Sequence, residues 1–326
     1  MGYVVGEKIL DDEYNAFVNN SSAPYGYNTI AGDGAGPRGL GQAELPVVVA
    51  GTQFINASNW NALFAGMDNI ANHTNDSLTA RGQVTAGDPI KIKSAVAADL
   101  LTLANSVAGG SVNATALTES SELRSAVASA RFSATHIVEH SVTFASGDHL
   151  RYFFNAGGKI RIQLTRNANG GGSATDKDDS VDELISAMGN FDIGAQVSTR
   201  SGSGESLQTN GLANGVDDLG TGYTTLMVLR QSNGTYTSMD LKIEAKIDNA
   251  TYGTGVKVTV KCSVIDADSG DILYTDGNLS SIDVNENFIG TTDWALHTMN
   301  PTTAQGLNPV YGISASAIES NNVANG

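Results

Sequence analysis

Charge is scarce in this chain: Asp, Glu, Lys and Arg make up 16% of its 326 residues, against about a quarter in an average globular protein. What charge there is leans to one sign. With 34 acidic and 18 basic residues the formal net charge is -16 and the isoelectric point lies near 4.5. Like charges repel and no basic stripe compensates, which argues against nucleic acid as a partner. The single cysteine, Cys262, excludes an internal disulfide; it sits in the alternating run Val256 to Val264, a strand position, and implies no oxidising compartment. No apolar stretch approaches the roughly 20 residues of a membrane span, and the start, Met1-Gly-Tyr-Val-Val-Gly6, lacks the basic and apolar regions of a secretion signal. A soluble protein without membrane contact is expected. Gly6 stands where a myristoylation signal needs Ser or Thr. There is no G-x-S-x-G elbow and no phosphate-cradling P-loop, so covalent catalysis has no recognisable nucleophile.

Glycine, at 37 residues, is abundant, and with Ala, Ser, Thr and Asn it points to strands, turns and small-residue helices. The first third holds a loose repeat: Val5-Gly6-Glu-Lys-Ile9, Val49-Ala-Gly51-Thr-Gln-Phe54-Ile55 and Val84-Thr-Ala-Gly87-Asp-Pro-Ile90. A short helical pattern follows each, with Asp11, Asn56 or Ser58, and Ser94 as natural caps. Further helices are expected from about Ala95 to Ala108 and from about Glu119 to Ala134. Between the first two copies, residues 25–42 are too rich in glycine for a regular helix. Such a segment, mobile by itself, could order against a neighbouring subunit through Tyr25, Tyr27, Ile30 and Leu40, or lie as an ordinary surface loop.

From His136 onward strands dominate. Ser141 to Phe144 and Lys159 to Leu164 read as strands around a capped short helix, Ser146 to Phe154, which Asn155-Ala-Gly-Gly158 terminates. After a Gly/Asp-rich loop, Val181 to Met188 is helical; strands are expected at Phe191 to Thr199, Thr224 to Arg230, Met239 to Ile247, Gly255 to Ile265 and Asp271 to Tyr274. Alternation in Leu241, Ile243, Ala245 and Ile247, and in Val256, Val258, Val260, Cys262 and Val264, marks antiparallel strands with one buried face. The expected fold is α+β: a small helical N-terminal region of Gly-turn-helix units, then a mainly antiparallel β-sandwich-like domain. The boundaries so read are 1–45 for a Gly-rich docking arm, 46–135 for a mainly helical region and 136–326 for the β domain.

The stretch from His140 to Ile162, and most specifically Arg151-Tyr-Phe-Phe-Asn-Ala-Gly-Gly158, resembles a segment of virion structural proteins of tailed bacteriophages, especially contractile-tailed phages of marine bacteria. The N-terminal units and the strand Tyr236 to Lys246 look similar to the same proteins. The resemblance implies a non-enzymatic virion component of the tail, baseplate, neck or fibre attachment, assembled in the host bacterial cytoplasm. It would act as a homo-oligomer among other phage virion proteins, without cofactor. In the residues themselves, Tyr152, Phe153 and Phe154 would anchor the short helix, Asn155 would end it, and Gly157 and Gly158 would let the chain reverse, at least one with positive φ. A capsid-decorating role is a variant of this reading. A receptor- or glycan-binding fibre component that meets a host surface receptor is the alternative; its aromatics would be exposed near Trp294 and Tyr311, in a loop-rich C-terminal region.

Two strings hold potential metal ligands. His136-Ile-Val-Glu139-His140 has the order of inverted zinc peptidases, in which two histidines share a helical face and the glutamate activates water. Here the string runs into a strand, so the histidines are expected to straddle a helix-to-strand junction, which argues against zinc. Asp266-Ala-Asp-Ser-Gly-Asp271 has carboxylate spacing that suits calcium, but its glycine comes one place early and Gly277 stands where a closing Glu belongs. A hairpin turn is the simpler reading. Asp176, Asp178, Asp179 and Asp182 precede a helix and read as solvated capping charge. Trp60 reads as a packing residue.

Overall fold

The computed structural model describes residues 11–49, 54–85, 93–127, 135–167, 176–232, 236–251, 253–267, 271–274, 282–284, 291–308, 311 and 313–316. These form six α-helices: α1 (Asp11–Asn19), α2 (Tyr27–Ala31), α3 (Ala57–Thr74), α4 (Lys93–Ala108), α5 (Gly147–Asn155) and α6 (Asp176–Met188). The strands are β1 (Leu117–Glu119), β2 (Arg124–Val127), β3 (Thr135–Thr143), β4 (Lys159–Asn167), β5 (Phe191–Ile193), β6 (Ser198–Arg200), β7 (Ser206–Asn210), β8 (Thr224–Arg230), β9 (Met239–Ile247), β10 (Lys257–Asp266), β11 (Asp271–Tyr274), β12 (Ile282–Val284), β13 (Thr291–Pro301) and β14 (Ser314–Ser316). The fold is α+β, with most helices N-terminal and two antiparallel sheets packed in a sandwich-like manner. No helix among the described residues is long and apolar enough to cross a membrane.

Two compact units result, each built from separate segments of chain. One comprises Met1–Thr118, Ser146–Gly158 and Asn300–Gly312; the other comprises Glu119–Ala145, Lys159–Met299 and Ile313–Gly326. The three successive stretches divided at 45 and 135 give way to this arrangement because α5 belongs with the N-terminal helices. In the helical unit α3 carries the apolar stripe, with Trp60, Leu63, Phe64, Met67 and Ile70 buried at helical spacing. Tyr14 and Phe17 of α1 meet Trp60 edge-on, at 5.6 and 6.0 Å between ring centroids.

Asparagines tie extended segments to these helices. Asn15 takes both backbone groups of Val48, donating to its carbonyl and accepting its N–H at 2.8 Å each. Asn61 does the same with Val84 at 2.9 and 2.8 Å. These residues fall in matching strings, Tyr14-Asn-Ala-Phe17 and Trp60-Asn-Ala-Leu63, so the repeat expresses itself as a helix whose asparagine holds a valine at the next copy: Val84, which opens the third, and Val48, one residue before the second. Of the expected caps, Asn56 is used, in a reciprocal box with Asn59. The side chains of Asp11 and Ser94, and the glycines of all three copies, lie outside the described residues.

In the β unit one sheet has the order β1-β13-β4-β5-β6, with β2 also against β13, and the other β14-β3-β10-β9-β8-β7; β11 and β12 form a separate pair. Register places Val142, His140, Val138 and His136 of β3 opposite Val258, Val260, Cys262 and Val264 of β10. These in turn face Ile247, Ala245, Ile243 and Leu241 of β9. That row is the buried face. The other face carries a charged row in which Lys261 and Lys242 both pair with Glu244, at 2.6 and 2.8 Å. In the first sheet Ile162 and Leu164 of β4 lie opposite Leu296 and Trp294 of β13, all buried, while Arg161 turns outward to a bidentate bond with Asp192. Helix α6 packs against β8, β9 and β4, and so touches both sheets.

Several expectations are corrected here. The helix expected from Glu119 to Ala134 is absent where the chain is described: residues 117–119 and 124–127 are strands, and Ser120 and Leu123 bond backbone to backbone with Thr298 and Leu296. Pairing with β13 overrides the alanine-rich helical preference; residues 128–134 lie outside the described set. The single strand expected over Phe191 to Thr199 is a hairpin, because Gly194 accepts a tight turn closed onto Val197. Residues 27–31 are helical despite the glycines around them. The C-terminal region holding Trp294 is not a loop but the eleven-residue strand β13.

Candidate functional site

Helix α5 brings together the two groups of residues that the sequence singles out separately. Its N-terminus is capped by the Ser146 hydroxyl, which accepts the His149 N–H at 3.1 Å. At its end Gly157 N–H donates to the Phe154 carbonyl and Gly158 N–H to that of Phe153, the Schellman arrangement. Gly157 holds φ at +77°. A side chain here would collide as well: a Cβ on Gly157 would lie 2.7 Å from Val112, and one on Gly158 2.6 Å from the Phe153 ring. Phe153 and Phe154 are buried and meet edge to face at 5.0 Å. Phe153 also meets the buried Tyr311 at 5.7 Å.

The polar stripe of the same helix grips the glycine-rich segment. Arg151, buried, donates to the carbonyls of Arg38 at 2.5 Å and Asp33 at 2.7 Å, and is held by Asp148 at 2.9 Å. One turn later Asn155 donates to the carbonyls of Gly36, Arg38 and Gly39 at 3.3, 3.1 and 3.1 Å. Glycine is required for this approach. Gly39 and Gly41 have φ of +93° and +65°, and a Cβ on Gly41 would sit 2.6 Å from the Tyr152 ring.

The residues expected to face another subunit therefore have other work. Tyr27, Ile30 and Leu40 are buried within the helical unit, Tyr27 against Gly66 of α3. Tyr25 is half-buried beneath the Arg38 guanidinium, 3.9 Å from its ring centroid. Asn28 holds both backbone groups of Leu45, and Gln42 makes two bonds with the Asn308 backbone. Tyr27, Ile30 and Leu40 are thus taken up by the chain's own helical unit, where the segment docks because Arg151 and Asn155 satisfy its carbonyls, while Tyr25 keeps part of its ring exposed. Beside it opens a cleft of about 560 Å³ lined by Asn19, Tyr25, Asn28, Asp33, Arg38 and Glu44. A hydrogen bond to Asp33 pushes the Glu44 carboxyl above its ordinary range.

The residues weighed for chemistry fall elsewhere. His136, Glu139 and His140 all lie on β3, not across a helix-to-strand junction, so alternation sends both histidines into the core and Glu139 to the opposite face. His136 bonds Thr292 at 3.2 Å, and burial lowers its pKa to about 4. Cys262 is buried and its thiol pushed up by desolvation. Trp294 is fully buried, and with Tyr311 also inside, neither forms the exposed aromatic platform that glycan binding would need. Asp266 is buried against Lys177, which removes it from any calcium loop; 268–270 lie outside the described residues. Asp178 is buried near Arg166, and Asp182 bonds the same guanidinium at 2.8 Å, so the acidic start of α6 is only partly solvated. Among the described residues no three His, Cys, Asp or Glu side chains converge as a metal site.

Sequence reading missed Arg151 and Asn28 as holders of backbone. The available signal was Arg-Tyr-Phe-Phe-Asn, two polar residues four apart within an aromatic run. No known protein family matches the chain, and no curated protein or solved structure is significantly similar to it.

Proposed function

We propose that this chain is a non-enzymatic structural subunit of a tailed-phage virion, a tail, baseplate, neck or fibre-attachment component that works through protein–protein interfaces as a homo-oligomer. The observation that carries the proposal is the segment from His140 to Ile162, whose most specific part, residues 151–158, resembles phage virion proteins. In this chain that part serves as scaffold. Arg151 and Asn155 hold a loop, Phe153 and Phe154 fill a core, and Gly157 turns the chain. A segment whose side chains are all committed to holding its own fold suits a protein whose product is shape. The burial of His136, His140, Cys262, Trp60 and Trp294 supports the same reading, since each packs where a catalyst would have to be accessible.

Immunogold labelling and peptide mapping of purified particles from a phage encoding the chain test this. Labelling at a fixed station, with the chain in constant ratio to the major tail protein, is expected. Abundant chain in infected cells but none in purified particles would overturn the proposal.

A further inference from the structure

Among the described residues of the β unit, Lys177 and Asp266 form the most deeply enclosed ion pair. Lys177 lies in the first turn of α6 and Asp266 ends β10; their side chains are 0% and 1% exposed, with Nζ 2.5 Å from Oδ2. The ring of Tyr236, itself buried, lies 4.9 Å from Nζ. An ammonium and a carboxylate withdrawn from water lose hydration that their mutual attraction repays only in part. Amide formation would remove both charges at once.

We propose that Lys177 and Asp266 condense to an intramolecular isopeptide bond. One ammonium proton passes to the carboxylate, leaving a neutral amine and a carboxylic acid. The Nζ lone pair attacks Cγ, the N–C bond forms, and the C–O bond to the hydroxyl breaks. That hydroxyl takes a second proton from nitrogen and leaves as water, while the amide nitrogen keeps the third. The pair is neutral overall, so no oxidant, reductant or outside proton is needed. Geometry supplies the rate: Cγ is no further from Nζ than one C–O bond beyond the present contact, and two groups held so react with the advantage of an intramolecular encounter. Enclosure supplies the direction, since released water escapes to bulk and hydrolysis would have to bring water back. The bond would tie α6 to the end of β10 across 89 positions of sequence in a chain whose lone cysteine cannot form a disulfide within it. The inference stands apart from the virion reading.

Intact mass of the purified full-length protein, measured under denaturing conditions, decides it. A deficit of one water per chain, about 18 Da, is expected. Digestion should yield one branched peptide joining positions 177 and 266, with no tryptic cleavage after Lys177, and K177R and D266A should each restore the full mass. A wild-type mass equal to that of the sequence overturns the proposal. So does a deficit that maps elsewhere or that mild alkali reverses, as a succinimide at Asp33-Gly34 would be. The wild-type measurements suffice even if either variant fails to fold.

Discussion

At the scale of single residues, the buried histidines define how stability responds to acid. His136 is fully buried on β3 with Thr292 as its hydrogen-bond partner, and burial lowers its pKa from the ordinary 6.5 to about 4. The unfolded chain therefore binds a proton that the folded chain refuses between these two values. Stability from this residue is complete above pH 6.5 and is lost as pH falls toward 4, by on the order of 3 kcal/mol. His73, buried on α3 with Nε2 facing the Ala156 carbonyl at 3.0 Å, is shifted in the same direction. Denaturant midpoints measured from pH 7.5 to 4.5 should fall steadily, and H136L should flatten the slope without abolishing it. An unchanged slope in H136L would mean that this histidine titrates normally.

Among elements, α5 is where sequence and packing are most tightly coupled. Its apolar side builds the core, its Arg151 and Asn155 hold the glycine-rich segment, and its Schellman end returns the chain to β4. The return depends on Gly157, because a β-branched residue tolerates positive φ poorly and would press on Val112. G157V should cost roughly 2–4 kcal/mol and lower the melting temperature by about 5–10 °C. Thermal melts followed by circular dichroism would reveal it; a wild-type transition would show that the turn can re-form without glycine. The asparagine ties act by the same logic. A planar side-chain amide sets an N–H donor beside a carbonyl acceptor, the complement of one residue's backbone, so Asn15, Asn28 and Asn61 stand in for a neighbouring strand.

For the whole molecule, residues 25–42 are part of a core and not an appendage. Tyr27, Ile30 and Leu40 are buried, and the segment's carbonyls are the partners of Arg151 and Asn155. Deleting the segment would expose apolar surface and remove the backbone carbonyls that the buried Arg151 and Asn155 bond, a change of the kind that costs several kcal/mol. The deletion variant should lose cooperative unfolding and aggregate in light scattering. If it kept the wild-type melting profile and mass, the segment would be dispensable to the fold.

Much of the β unit was determined by sequence alone, because alternation with period two leaves few choices. Thr224–Arg230, Met239–Ile247 and Asp271–Tyr274 are strands with the bounds that the pattern indicates. The same alternation runs through Thr292, Trp294, Leu296 and Thr298 of β13, yet threonine and the flanking polar residues obscure it. Helix α3 and its Asn56 cap, the Ser146 cap of α5 and the turn at Gly157 were equally local, set by spacing, a short polar side chain and the absence of a Cβ. What tertiary structure decided was everything that depends on a distant partner. Residues 117–119 and 124–127 became strand because β13 lies beside them, His136 and Glu139 parted to opposite faces because β3 pairs with β10, and Asp266 met a lysine 89 positions away. The glycine-rich segment is the clearest case. Its composition signals freedom, since glycine has the most backbone entropy to lose, and Arg151 and Asn155, more than a hundred residues further on, supply the buried side-chain hydrogen bonds that hold its glycine-rich turn.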